Sequence, residues 1–162
     1  MPAQHMEGIA SRNTSFWWNL RTLSLVLVVV GIVISGYLSY VKLADAEIIC
    51  VEGERLNCDV VQNSRYAEFA GIPVAYLGLA TYLVIGALIL LENRINFLHE
   101  NGLLLLLGIV LFAFFYSMYL VYVQGVILGA WCQWCLAHEA TITVLFIITG
   151  LRLRQSLNLE YE

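Results

Sequence analysis

Charge is what this chain has least of. Asp, Glu, Lys and Arg make up only 12% of its 162 residues, against roughly a quarter in a soluble domain. A lipid solvent accounts for that deficit better than water does. Basic residues are scarcer still, eight in all, and the formal net charge is −4. With no basic stripe to displace counterions, recognition of nucleic acid through its phosphates is excluded. What is abundant is apolar sequence, at 60% of the chain, and its length suits a single domain.

The few charges mark out the apolar runs. None falls between Arg21 and Lys42, and none between Glu68 and Glu92. Each interval holds about the 20 residues that a helix needs to cross a bilayer. The interval from Asn101 to Ala137 is also uncharged but too long for one helix. It holds a third span, a turn supplied by Gln124, Gly125 and Gly129, and the start of a fourth helix. The stretch from Ala140 to Leu151 is too short to cross alone, so that helix must begin near Trp131 or Cys132. The expectation is an all-α membrane protein, a four-transmembrane-helix bundle in one domain. Its spans lie at about 17–43, 70–91, 102–123 and 131–151, with an extracytoplasmic loop at 44–69 between the first two.

An even number of spans leaves both termini on one side. Arg12, Arg21, Arg94, Arg152 and Arg154 flank that side, while Lys42, Arg55 and Arg65 flank the other. By the positive-inside rule the termini are cytoplasmic. The first run is longer than a signal peptide's apolar core, although Ala44-Asp45-Ala46 resembles a cleavage site. Gly31, Ser35 and Ser39 recur every fourth position along it, which permits close helix packing. Trp17, Trp18, Trp131 and Trp134 suit the membrane interfaces. Gly71-Ile72-Pro73 reads as a turn, with Pro73 in the first turn of the second span.

The four cysteines all fall on the side opposite the termini. Cys50 and Cys58 lie in an acidic loop (Asp45, Glu47, Glu52, Glu54, Asp59, Glu68), where Gly53 gives flexibility. Cys132 and Cys135 lie at the head of the fourth helix. There, unsatisfied N–H groups and the helix dipole favour a thiolate. The two pairs can be static disulfides that pin the structure. They can also be a relay, in which a flexible loop pair takes electrons from a protein and swings a thiol toward the membrane pair. A zinc site is disfavoured by the seven residues between Cys50 and Cys58. Glu139 and His138 sit inside the fourth helix, where ionisable groups lean functional. Glu139 lies one turn from Cys135 and can relay protons or polarise an acceptor.

The run from Asn57 through Cys58, Ser64 and Tyr66, followed by Gly71-Ile72-Pro73-Val74 and Gly78, resembles the signature of the vitamin K epoxide reductase family. Its bacterial branch is the nearest in pattern, and Cys132-Gln133-Trp134-Cys135 with His138-Glu139 resembles that branch's redox centre. The resemblance extends from about Trp17 to Leu151. The disulfide bond protein B family, another four-helix quinone-coupled group, places its CxxC in the first loop, the reverse of the order here.

The resemblance implies a quinone-dependent thiol oxidase. Cys50 and Cys58 would take electrons from a reduced thioredoxin-fold partner of the DsbA kind. Cys58 would exchange with Cys132, and Cys135 would deliver two electrons to a membrane quinone such as ubiquinone or menaquinone, with no metal. Bacterial relatives often carry a fused thioredoxin-like domain, whereas about ten residues follow the last span here, so the partner is expected to be separate. The resemblance implies a multi-pass plasma (inner) membrane location, with the cysteines near the extracytoplasmic face.

Ser64 matches the family's loop serine, which can bond the reacting group or cap a short helix. Residues expected at the quinone are Cys135, Glu139, Val74, Trp134 and Phe114, the last within an aromatic crowd of Phe112, Phe115, Tyr116 and Tyr119. Val74 and Glu139 stand where animal relatives place an asparagine and a tyrosine, which favours a plain quinone over an epoxide as acceptor. The other readings are quinone or vitamin K epoxide reduction as the physiological role, and a non-enzymatic scaffold with two structural disulfides.

Overall fold

Uninterrupted apolar sequence folds as helix because a backbone removed from water must satisfy its own hydrogen bonds. The computed structural model describes the backbone of residues 2–51 and 53–160, and the side chains of 19–51, 53–95 and 101–157. Five α-helices are present among these residues: α1 (Pro2–Ala44), the short α2 (Cys58–Gln62), α3 (Val74–Leu91), α4 (Asn96–Tyr122) and α5 (Gln133–Glu160). Four stretches are long and apolar enough to cross a membrane: Asn19–Ala44, Val74–Leu91, Asn101–Leu128 and Gln133–Leu157. The protein is therefore a multi-pass membrane bundle. The side chains of Trp17 and Trp18, expected as interface anchors, lie outside the described residues.

The connections set the cysteine end. At the end of α1, Asp45 turns left-handed (φ 49°) and the Ala46 N–H closes back on the Val41 carbonyl at 3.1 Å. That six-to-one closure ends a helix. Before α3, strands β1 (Glu68–Phe69) and β2 (Ile72–Pro73) pair antiparallel. Ala70 and Gly71 both have positive φ (52° and 81°) between them, as a two-residue hairpin turn requires. Pro73 therefore stands one residue before α3 rather than inside its first turn. Its pairing with Glu68 holds it extended, with ψ 130°.

The third span also differs from expectation. Beyond Tyr122 the chain does not turn at Gln124 but continues as a π-helical stretch, Val123–Leu128. The turn comes at Gly129, whose φ is 61°. A widened helical turn of this kind frees a side chain for another use, and Gln124 has one at the cysteines.

The core takes residues from all four long helices, among them Val28, Tyr82, Ile85, Val110, Ile142 and Leu145. Gly31 permits the closest approach, because a Cβ there would lie 2.2 Å from the Tyr82 ring. Ser35 and Ser39 are buried on the same face of α1, so the small-residue stripe is a packing seam against α3. Far from the cysteines, Glu92 at the end of α3 pairs with two arginines. Arg21 Nε of α1 approaches it at 3.1 Å, and Arg152 Nη2 of α5 donates to both its oxygens at 3.0 and 2.9 Å. Arg152 is only 4% exposed, so this ionic clamp ties three helices in a buried setting.

Candidate functional site: two cysteine pairs at the mouth of an apolar cavity

Cys58 begins α2, whose start is capped by the Asn57 side chain accepting from the Val60 N–H at 3.1 Å. Cys50 and Cys58 are joined by a disulfide, while Cys132 and Cys135 are free thiols. Cys58 and Cys132 are both fully buried, in one cluster with Val61 and Ala130. Cys50 and Cys135 are only partly buried. The buried members of the two pairs thus share one cluster, and Cys50 and Cys135 pack at its edge.

The loop is not the free arm that its glycine and acidic residues suggested. The Asn57 N–H donates to the Trp131 carbonyl at 3.0 Å, and the Trp131 N–H donates to the Arg55 carbonyl at 2.8 Å. Nearer Cys50, the Val51 N–H donates to Gln133 Oε1, while Trp134 Nε1 donates to the Ile49 carbonyl at 2.8 Å. Backbone groups that would otherwise compete for water are paired to the head of α5. These bonds hold the loop against the head of α5, with Cys58 in the same buried cluster as Cys132.

Polar side chains missed as site residues hold the second pair. The Cys132 N–H, one of the orphan donors at a helix start, is accepted by Gln124 Oε1 at 3.0 Å. Gln62 Nε2 points at Cys135 Sγ, 3.7 Å away. The signal was in the sequence: each glutamine is an uncharged polar residue in or beside an apolar segment. Cys132 is held below the ordinary thiol range. The main cause is the hydrogen bond from the Cys135 thiol, opposed by burial and helped by the backbone N–H groups of Cys135 and Trp134 and by Gln62.

A lowered value means that the thiolate is present above it and lost as pH falls through it. Exchange run from the oxidised loop pair and the reduced membrane pair, with Cys132 as the attacking thiolate, should therefore stay level as pH drops through the ordinary thiol value of about 8.5. Only at lower pH should it fall, about tenfold per unit, as quenched-flow mass spectrometry of the cysteine linkages would show. A rate that already declines through the ordinary value means that Cys132 is not activated.

Beside Cys135 opens a cavity of about 1130 Å³, larger than most ligand pockets. It lies between α3 and α4 with α5 and α1 behind it. Cys135, Val74, Ser64, Gln62 and His138 line it, within a largely apolar wall. Ser64 precedes the short 3-10 turn Arg65–Ala67 without capping it, and its hydroxyl donates instead to the Val61 carbonyl at 2.8 Å.

Three side chains expected at the acceptor are placed elsewhere. Trp134 packs on Tyr37, ring centroids 4.6 Å apart, and anchors the loop. Phe114 stacks on Phe146 at 5.0 Å between α4 and α5. Glu139 is buried, accepting from the Ser117 hydroxyl and from Thr143 Oγ1. None of the three is among the residues lining the cavity.

Two cysteine pairs meeting at the end of a four-helix membrane bundle, one opening on an apolar chamber, define a membrane thiol–disulfide redox protein. The sequence model of the vitamin K epoxide reductase family matches residues 22–150, a stretch that includes all four cysteines. The chain belongs to the vitamin K epoxide reductase family. Membership carries quinone-linked disulfide redox chemistry, which makes the protein an oxidoreductase acting on disulfides.

Proposed function

We propose that this protein is a quinone-dependent thiol oxidase that supports disulfide formation in secreted proteins. The observation that carries the reading is the division of labour among the cysteines: Cys50 partly accessible, Cys58 and Cys132 buried together, Cys135 on the cavity. A reduced thioredoxin-fold partner attacks the Cys50–Cys58 disulfide at Cys50 and releases the Cys58 thiolate; its second thiol then displaces Cys50 from the mixed disulfide, and the partner departs with its own disulfide formed. The released Cys58 thiolate attacks Cys132 of a Cys132–Cys135 disulfide. Cys50 then closes on Cys58, leaving Cys132 and Cys135 as a dithiol. The joined Cys50–Cys58 pair and the free Cys132 and Cys135 are compatible with that product state.

The dithiol is oxidised to a disulfide, and its two electrons and two protons pass to the acceptor. An apolar chamber beside Cys135 suits a lipid-soluble quinone of the ubiquinone or menaquinone type, which serves as the two-electron sink. Each 30 mV of potential difference contributes about 1.4 kcal/mol to such a couple. Ser64 and Gln62 border the chamber near Cys135, where they can orient the thiol or an acceptor oxygen. With the termini cytoplasmic by the arginine bias, the cysteines face the extracytoplasmic side of the plasma membrane, where disulfides persist.

The test is quinone absorbance in detergent after a reduced thioredoxin-fold protein is added. Rapid loss of the quinone band is expected in the wild type. In Cys50→Ser the protein-driven rate should collapse, while a small membrane-permeant dithiol still reduces the Cys132–Cys135 disulfide and sustains turnover. If neither reductant drives turnover in the wild type and both disulfides resist mild dithiol, the cysteines are structural.

A further inference from the structure

The cavity wall is largely apolar, and three of its polar residues, from three different helices, lie near one another. Ser35 of α1, Tyr82 of α3 and His138 of α5 all line the chamber. Ser35 and Tyr82 are each 1% exposed, and neither hydroxyl has a hydrogen-bond partner. Ser39, a turn further along α1, also lacks a partner but does not line the chamber. Ser24, Thr81, Thr141 and Thr149 each return their hydroxyl to the carbonyl one turn back, at 2.8–2.9 Å. The same local bond is open to a helical serine, yet Ser35 does not make it.

His138 meets the Tyr82 ring edge-on, centroids 5.4 Å apart. Gly78 completes the spot: the point where a Cβ would stand is 3.5 Å from both His138 Nε2 and Ser35 Oγ. A glycine thus leaves a hollow between two polar atoms.

Buried hydroxyls without partners cost free energy. They therefore point to a ligand with a hydrogen-bonding atom that would complete them. The spot is placed to share a ligand with Cys135. His138 follows Cys135 by three residues on the same face of α5, about 4.5 Å along the axis. That is comparable to the separation of the two oxygens across a para-quinone ring. An acceptor with one carbonyl near Cys135 and Gln62 would carry the other into the hollow by Gly78.

We propose that Ser35, Tyr82 and His138 form the second oxygen site of this chamber, holding the distal carbonyl of a para-quinone. The proposal rests on the quinone reading above and adds the acceptor's geometry and the residues that select it. Both hydroxyls are donors, and the imidazole N–H adds a third. An acceptor with a single carbonyl, or with its oxygens adjacent on the ring, leaves these groups unpaired and should bind more weakly. The site owes nothing to Val74 or Glu139.

The test uses the full-length protein in detergent and a short-chain 1,4-naphthoquinone as probe. Binding is read at equilibrium from quenching of tryptophan fluorescence, and the quinone carbonyl bands are read by infrared difference spectroscopy. The wild type should show one carbonyl band shifted to lower frequency by hydrogen bonding in this site. Tyr82→Phe and Ser35→Ala change one oxygen atom each and keep the packing shape. In each, Kd should rise roughly five- to thirtyfold, with the shifted band moving back toward its free position. Gly78→Ala, whose Cβ would fill the hollow at ordinary contact distance, should weaken binding similarly. Unchanged Kd and unchanged carbonyl bands in both hydroxyl variants would overturn the site. If the wild type does not bind or reduce any quinone, it is the oxidase reading itself that falls.

Discussion

Cys135→Ala is expected to lower quinone reduction by at least about three orders of magnitude, the scale seen when a nucleophile acting in a catalytic unit is removed. The variant should also acquire a covalent link that the wild type resolves. Cys132 retains its acceptor for the backbone N–H, Gln124 Oε1 at 3.0 Å, and stays buried beside Cys58. Its thiol can still attack Cys58 of the loop disulfide, and with Cys135 gone only reclosure by Cys50 can displace it again. A Cys58–Cys132 disulfide should accumulate with Cys50 free, visible as a cross-linked peptide under non-reducing conditions. The link tests the order of the relay separately from its rate. Undiminished turnover would mean that electrons leave by another residue, and loss of turnover with no trapped link would place the exchange outside the Cys58–Cys132 contact.

The largest effect on stability is expected at the opposite end of the bundle. Glu92→Ala removes the shared counter-charge of Arg21 and Arg152. Arg152 is almost wholly buried, with further nitrogens that already lack partners. An uncompensated charge in such a place costs about 3–5 kcal/mol, enough to rival the whole stability of a typical domain. Unfolding in detergent should shift accordingly, and Glu92→Ala combined with Arg152→Leu should recover much of the loss. A shift no greater than that of an exposed ion pair, about 1 kcal/mol or less, would show the clamp to be solvated. Quinone binding should survive in whatever fraction remains folded, since Arg152 of the clamp and Cys135 lie about 26 Å apart along α5.

The spans were legible because lipid tolerates so little charge. Charge-free intervals between Arg21 and Lys42, Glu68 and Glu92, and Asn101 and Ala137 were enough to place four helices. The head of the fourth helix followed from length alone, and α5 begins at Gln133, directly after Cys132. The third helix was read too short, because Gln124 and Gly125 look like a turn. The π-helical stretch keeps the backbone bonded through them instead, with Gly125 close beneath the Trp131 ring.

The chamber's lining was far less legible. Adjacent helical residues differ by about 100° in direction, so His138 and Glu139 face different neighbours although both are ionisable and both follow Cys135 by about one turn. His138 opens on the cavity, while Glu139 turns to Ser117 and Thr143. Trp134 and Phe114 were read toward the acceptor for their aromatic character, yet the first went to the loop and the second to α5. Every face of these helices is apolar, so no polar stripe tells which way each one is rotated.

The sequence by itself determined the membrane bundle, the placing of four cysteines at one end and the redox class, because charge, length and a specific cysteine pattern are local properties. Tertiary structure decided which cysteines meet, which side chains open on the chamber and how the loop is held. Those depend on helix rotation and on backbone pairing between segments about 75 residues apart, Arg55 and Asn57 with Trp131. Only packing sets such relations.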